Sequence, residues 1–214
     1  MTTTILRGTT VLRDRLRRHR REGGRPGRLL RTVTALAVAA PAVALTAAAP
    51  ASAGAAATPA AATCGIRWGS QARTAGTTSA APVDDVRAGE HACYDRLVID
   101  LAGAVGGYRV QYVRDVVADG SGEILPVAGG ARLQVTVFDP AYGPGYHATF
   151  TPRDRAHVVP VGGYRTFRQV VWAGSFEGYT SLGLGVRARL PFRVFVLPGP
   201  GTHSRLVVDV AHRW

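Results

Sequence analysis

The 214-residue chain has no lysine, one methionine, two cysteines and 14 acidic residues against 26 arginines. Each shortage excludes something. Two cysteines are too few for a disulfide scaffold or a four-cysteine zinc site. Neither H-E-x-x-H nor G-x-S-x-G occurs, and in Gly174-Ser175-Phe176-Glu177-Gly178 the serine stands one place too early for a nucleophile elbow. His91, His147, His157, His203 and His212 are scattered without metal-ligand spacing. Asp100 and Glu177 could form a carboxylate pair for sugar chemistry, but nothing in the sequence brings them together. The expectation is a protein that is not an enzyme and needs no metal or cofactor. What the chain does have is 46% hydrophobic residues, too many for a wholly disordered protein, and a formal charge of +12. Such a charge suggests nucleic acid or another anionic partner, unless it sits in a segment that is removed.

Much of it does sit in such a segment. Residues 1–53 carry ten arginines, from Arg7 to Arg31, against Asp14 and Glu22, a net of +8. An alanine-rich apolar run over residues 33–49 follows, closing on Ala51-Ser52-Ala53. Basic region, apolar region and small-x-small site predict a secretory signal peptide over 1–53. The rival reading, a retained membrane helix, suits the run poorly: Pro41 interrupts it and alanine dominates it. The leader thus predicts a secreted protein, and the expected mature chain carries 16 arginines against 12 acidic residues, which argues against nucleic-acid binding. Residues 54–63 are uncharged alanine, threonine and proline, read as a flexible linker.

Beyond the turn-rich segment 64–92, short runs of period two take over. Tyr108, Val110 and Tyr112 alternate with polar residues, as do Leu133, Val135 and Val137. Leu182, Leu184 and Val186 alternate with Gly183, Gly185 and Arg187. Alternation predicts strands with one buried and one wet face. Residues 97–101, 170–172, 192–197 and 206–210 are apolar on both faces and suit central strands. Glycine-rich turns such as Gly106-Gly107 and Gly162-Gly163 separate the runs. An all-β chain follows, an antiparallel β-sandwich or barrel. Arg96-Leu97-Val98-Ile99-Asp100-Leu101-Ala102 is echoed in Arg205-Leu206-Val207-Val208-Asp209-Val210-Ala211. The spacings exclude a tandem repeat, so the echo predicts two similar strands in related sheet positions, each aspartate pairing with an arginine or capping a strand end.

Cys64 and Cys93 are expected to form a disulfide that staples 64–92 onto the first strand; two free thiols are the alternative. The stretch Trp172 to Tyr179 gathers Trp172, Phe176, Tyr179 and Glu177 between two strands. Aromatic faces with a carboxylate hold sugar rings or peptides; otherwise Trp172 is core and the rest a hairpin loop. Arg187, Arg189 and Arg193 flank Pro191 and could meet an anionic polymer or a peptide carboxylate, or simply protect an edge strand.

Several of these stretches are similar to a known family. Residues 93–101 (Cys-Tyr-Asp-Arg-Leu-Val-Ile-Asp-Leu), 107–113 (Gly-Tyr-Arg-Val-Gln-Tyr-Val), 167–178, 185–195 and 204–214 resemble the actinobacterial AMIN-like domain, and Cys64 to Ser70 is familiar from the same proteins. The resemblance implies an AMIN-like β-sandwich over 93–214, with 64–92 as a disulfide-stapled extension. It also implies an exported, cell-envelope-associated protein, with peptidoglycan or an anionic cell-wall polymer as candidate partner and no stable membrane span after cleavage. No catalytic residues carry over from the family. A secreted protein–protein interaction module or inhibitor is the alternative.

Overall fold

The computed structural model describes residues 64–214; the leader and the linker lie outside the described residues. Eleven strands form in chain order: β1 (Arg73–Gly76), β2 (Val83–Glu90), β3 (Tyr94–Leu101), β4 (Gly107–Val113), β5 (Val116–Val117), β6 (Ile124–Leu125), β7 (Ala131–Val137), β8 (Phe167–Phe176), β9 (Tyr179–Val186), β10 (Phe192–Pro198) and β11 (Ser204–Ala211). One sheet has the order β1-β4-β7-β9-β8 and the other β10-β11-β3-β2, while β5 and β6 make a short ribbon. Every pairing is antiparallel. The two sheets pack as a sandwich, which settles the choice between sandwich and barrel.

The period-two pattern explains the core. Leu97, Ile99 and Leu101 of β3 and Leu206, Val208 and Val210 of β11 face inward from one sheet. Val110, Leu133, Val135, Leu182 and Leu184 meet them from the other. Branched and aromatic side chains suit such a pleated, half-buried surface. The echo places its two strands side by side: β3 and β11 pair so that Arg96 stands opposite Asp209 and Asp100 opposite Arg205. Asp209 has no solvent exposure and accepts from Arg96 Nε at 2.7 Å and Arg193 Nε at 2.9 Å. Asp100 instead takes its arginine from β2, where Arg87 reaches both its oxygens at 2.6 and 2.7 Å.

Three expectations need correcting. The glycine face of β9 is not wet. Residues 116–128 cross it, and a Cβ on Gly185 would lie 1.9 Å from the Ala128 carbonyl oxygen. A second small core of Val116, Val127, Val171 and Ala173 forms there. For that reason Val170 to Trp172 is apolar on both faces although β8 is an edge strand, not a central one. β10 is also an edge strand, and its Val196 is exposed. Within 64–92, β1 pairs with β4 and β2 with β3, so this segment contributes a strand to each sheet.

Cys64 and Cys93 form a disulfide with Cα atoms 5.5 Å apart. It carries residues 64–70 to β10, where Phe192 N–H donates to Gly69 O at 2.9 Å. Trp68 then lies under the Arg193 guanidinium, 4.3 Å from ring centre to Cζ. Replacing both cysteines by serine is expected to destabilise the fold by roughly 3 kcal/mol through the lost loop constraint, read from urea midpoints. Gly185→Ala is expected to cost about 2 kcal/mol or more, because the added methyl meets backbone that cannot rotate away; the same titration checks it.

Candidate functional site

The sequence-selected aromatics converge at one end of the sandwich, built from three turns. β8 and β9 are joined by the two-residue turn Glu177-Gly178, with φ of 49° and 84°. Positive φ at both positions is the twist that fits a tight hairpin, and glycine accepts it without strain. Gly178 N–H donates to Tyr142 Oη at 2.9 Å, which ties this tip to a second one around residues 142–148. There Gly145 and Tyr146 are also left-handed, and Tyr146 is 85% exposed. Ser175 Oγ accepts from Ala141 N–H at 2.8 Å and donates to Tyr179 O, locking the two tips together.

The third turn, residues 119–122, comes from the segment that covers the β9 glycine face. Asp119 N–H donates to Ala173 O at 2.8 Å, where β8 bulges between Trp172 and Gly174. A bulge bends its strand and re-aims the residues beyond it. The Phe176 ring lies on Gly120, where a Cβ would come within 3.2 Å of it. Phe176 stays half exposed and separates two clefts. One, of about 450 Å³, is lined by Tyr142, Tyr146, Ser175, Phe176 and Glu177. The other, of about 330 Å³, includes Asp119, Phe150, Arg155, Trp172 and Phe176. Trp172 is only 8% exposed and packs on Phe150 at 5.3 Å, so it is core with an edge in the cleft. Tyr179 meets Phe138 edge-on at 5.4 Å.

Asp119 is the carboxylate of this second cleft, which also holds Arg155, Thr151 and Ser175. Burial holds its carboxyl above the usual range, with hydrogen bonds from Ser181 pulling the other way. Its Oδ2 is buried with no protein partner. Asp139, fully buried nearby, is likewise raised by burial and held by Ser79 Oγ and Gly106 N–H. A weakly hydrated carboxyl between aromatic faces can hydrogen-bond a sugar hydroxyl or amide. Among the described residues, no group of three or more His, Cys, Asp or Glu is placed to hold a metal ion.

A model of the AMIN-like domain matches residues 81–212. The chain belongs to the AMIN-like domain family. No curated protein and no solved structure matches it. For this AMIN-like protein, family membership supports a domain of cell-envelope type, and the disulfide is consistent with an extracellular or envelope setting.

The fold separates the six candidate ligand-binding residues of the sequence. Trp172, Phe176, Glu177 and Tyr179 share the hairpin end, whereas Arg187 and Arg189 follow the far end of β9. Eight strand residues, roughly 25 Å, lie between. Arg187 donates to His212 O. Arg189 stacks on Tyr112 at 4.7 Å and donates to Ser70 O at 3.1 Å. Glu177 and Asp100 sit in different sheets, with Asp100 occupied by Arg87. Asp119, Tyr142, Tyr146 and Phe150 are site residues that sequence reasoning missed. Two tyrosines flanking Gly143-Pro144-Gly145 were the available signal, since a turn holds both rings near its tip.

The Asp119 environment has a pH signature. Its folded pKa is raised above the unfolded one, so the folded protein holds the proton more tightly. Its contribution to stability is then fully present in acid and is lost as pH rises from the unfolded pKa through the folded one. Asp119→Asn is expected to flatten that fall, measured as urea midpoints across acid to neutral pH.

Proposed function

We propose that this AMIN-like domain is an exported, non-enzymatic module of the actinobacterial type that binds the cell wall, with peptidoglycan as ligand. The observation that supports it is the cleft pair on either side of Phe176. Exposed aromatic rings stand on rigid hairpin tips, with Glu177 and the partly buried Asp119 carboxyl alongside. Sugar rings present apolar faces for stacking and hydroxyl or amide groups at their edges, which matches such a wall. The site is held by backbone and by Ser175 and Tyr142 hydrogen bonds, so little ordering remains to oppose binding.

The test is sedimentation of the oxidised protein with insoluble cell wall. Retention in the pellet is expected, weakened about tenfold or more by the double change Tyr146→Ala and Phe176→Ala. Recovery of the unaltered protein in the supernatant at low salt would overturn the reading.

A further inference from the structure

The end of the sandwich opposite the aromatic clefts is basic. Arg67, Arg165, Arg168, Arg187, Arg189 and Arg213 are all exposed there. They are adjacent only in the folded chain. The disulfide and the Phe192–Gly69 hydrogen bond bring in Arg67. Arg187 N–H donates to Thr166 O at 2.9 Å, joining the β9 end to the segment holding Arg165 and Arg168. His212 N–H donates to Cys93 O at 3.0 Å and places Arg213.

The carboxylates of this end do not cancel the charge. Asp95 is fully buried and accepts from Thr166 N–H, Phe167 N–H and His212 Nε2. Asp209 is fully buried between Arg96 and Arg193. Exposed Glu90 meets only Arg165, at 3.3 Å, and Asp115 meets Arg114 at 3.2 Å. Asp119, Asp139 and Glu177 all lie toward the hairpin end. The exposed charge of this end is therefore mainly positive, and a local field of this kind orients a protein on an anionic surface.

An apolar ring accompanies the arginines. Trp214 is 71% exposed while its indole N–H donates to Arg189 O at 3.1 Å, which holds the ring among the guanidiniums. Tryptophan beside basic residues suits the headgroup level of a bilayer, where the ring meets the acyl boundary and the cations meet phosphate. The arginines come from separate segments spread across an end face, which matches a plane better than a linear polymer.

We infer that this basic end docks on the surface of an anionic phospholipid bilayer. The contact is peripheral, through phosphate headgroups and Trp214, and it turns the aromatic clefts away from the membrane. Arginines near an anionic leaflet each strengthen binding about fivefold, and salt screens them within about 10 Å.

The experiment uses the oxidised mature chain, residues 54–214, and tryptophan fluorescence on vesicles of phosphatidylcholine with and without phosphatidylglycerol. The chain has three tryptophans, and Trp172 is core. Leaving out residues 1–53 removes the leader's ten arginines and apolar run, which would bind anionic vesicles on their own. The expected result is a blue shift and quenching by brominated lipid on anionic vesicles only, absent in Trp214→Phe and weakened by salt. The triple change Arg187→Gln, Arg189→Gln and Arg213→Gln should weaken it on the order of a hundredfold while cell-wall sedimentation is retained. An unchanged Trp214 signal in the triple variant, or an equal signal on pure phosphatidylcholine, overturns the inference. A response to soluble poly(glycerol phosphate) with none to vesicles also overturns it, in favour of a polymer.

Discussion

Asp209 is the group around which one sheet is organised. It has no solvent exposure, and its two oxygens take guanidinium donors from β3 and β10 while it sits on β11 between them. A buried carboxylate is costly unless paired, so any slip of register among these three strands would strand it. Arg193, once fixed by Asp209, offers its outer face to Trp68 at 4.3 Å and Phe195 at 4.9 Å. The disulfide then fastens Trp68 from the other side. Ion pair, stacked rings and covalent link thus hold the same few strands.

The second sheet depends on a close backbone approach. Gly183 and Gly185 leave room for residues 116–128 to lie on β9, and that crossing delivers Asp119 and Gly120 to the hairpin end. Without it Phe176 would have no seat and Asp119 would not be half-buried against β8. The cleft is therefore a consequence of two missing side chains several residues along the strand. Its aromatic rings are spread over rigid tips, which favours recognition of a stiff ligand with flat apolar faces.

The two ends of the sandwich have opposite characters. The exposed rings of Tyr146 and Phe176 stand at the hairpin end; six exposed arginines and Trp214 stand at the disulfide end. A module lying between an anionic membrane and a glycan layer would use both at once, and each can be removed without touching the other.

The strands were legible because alternation of apolar and polar residues is a local property, set by the pleat. β4, β7 and β9 could be recognised that way, and β3 and β11 as short apolar runs; the echoed motif pointed to an arginine partner or a strand cap for Asp209 without naming Arg96. The cysteine pair followed from composition. Other features were not legible. The double-sided apolar pattern of Val170 to Trp172 has the same cause, burial, whether a strand or a ribbon covers it, so an edge strand read as central. Asp119 looked like one more turn residue, because its burial comes from β8 and β9 more than fifty residues away. Likewise, Arg187 and Phe176 are close in sequence yet sit at opposite ends, because a single β-strand is a straight spacer. By itself the sequence determined the strand pattern, the charge total and the family. Only the tertiary structure decided which charges are buried and which rings share a cleft, because those depend on contacts between segments far apart in the chain.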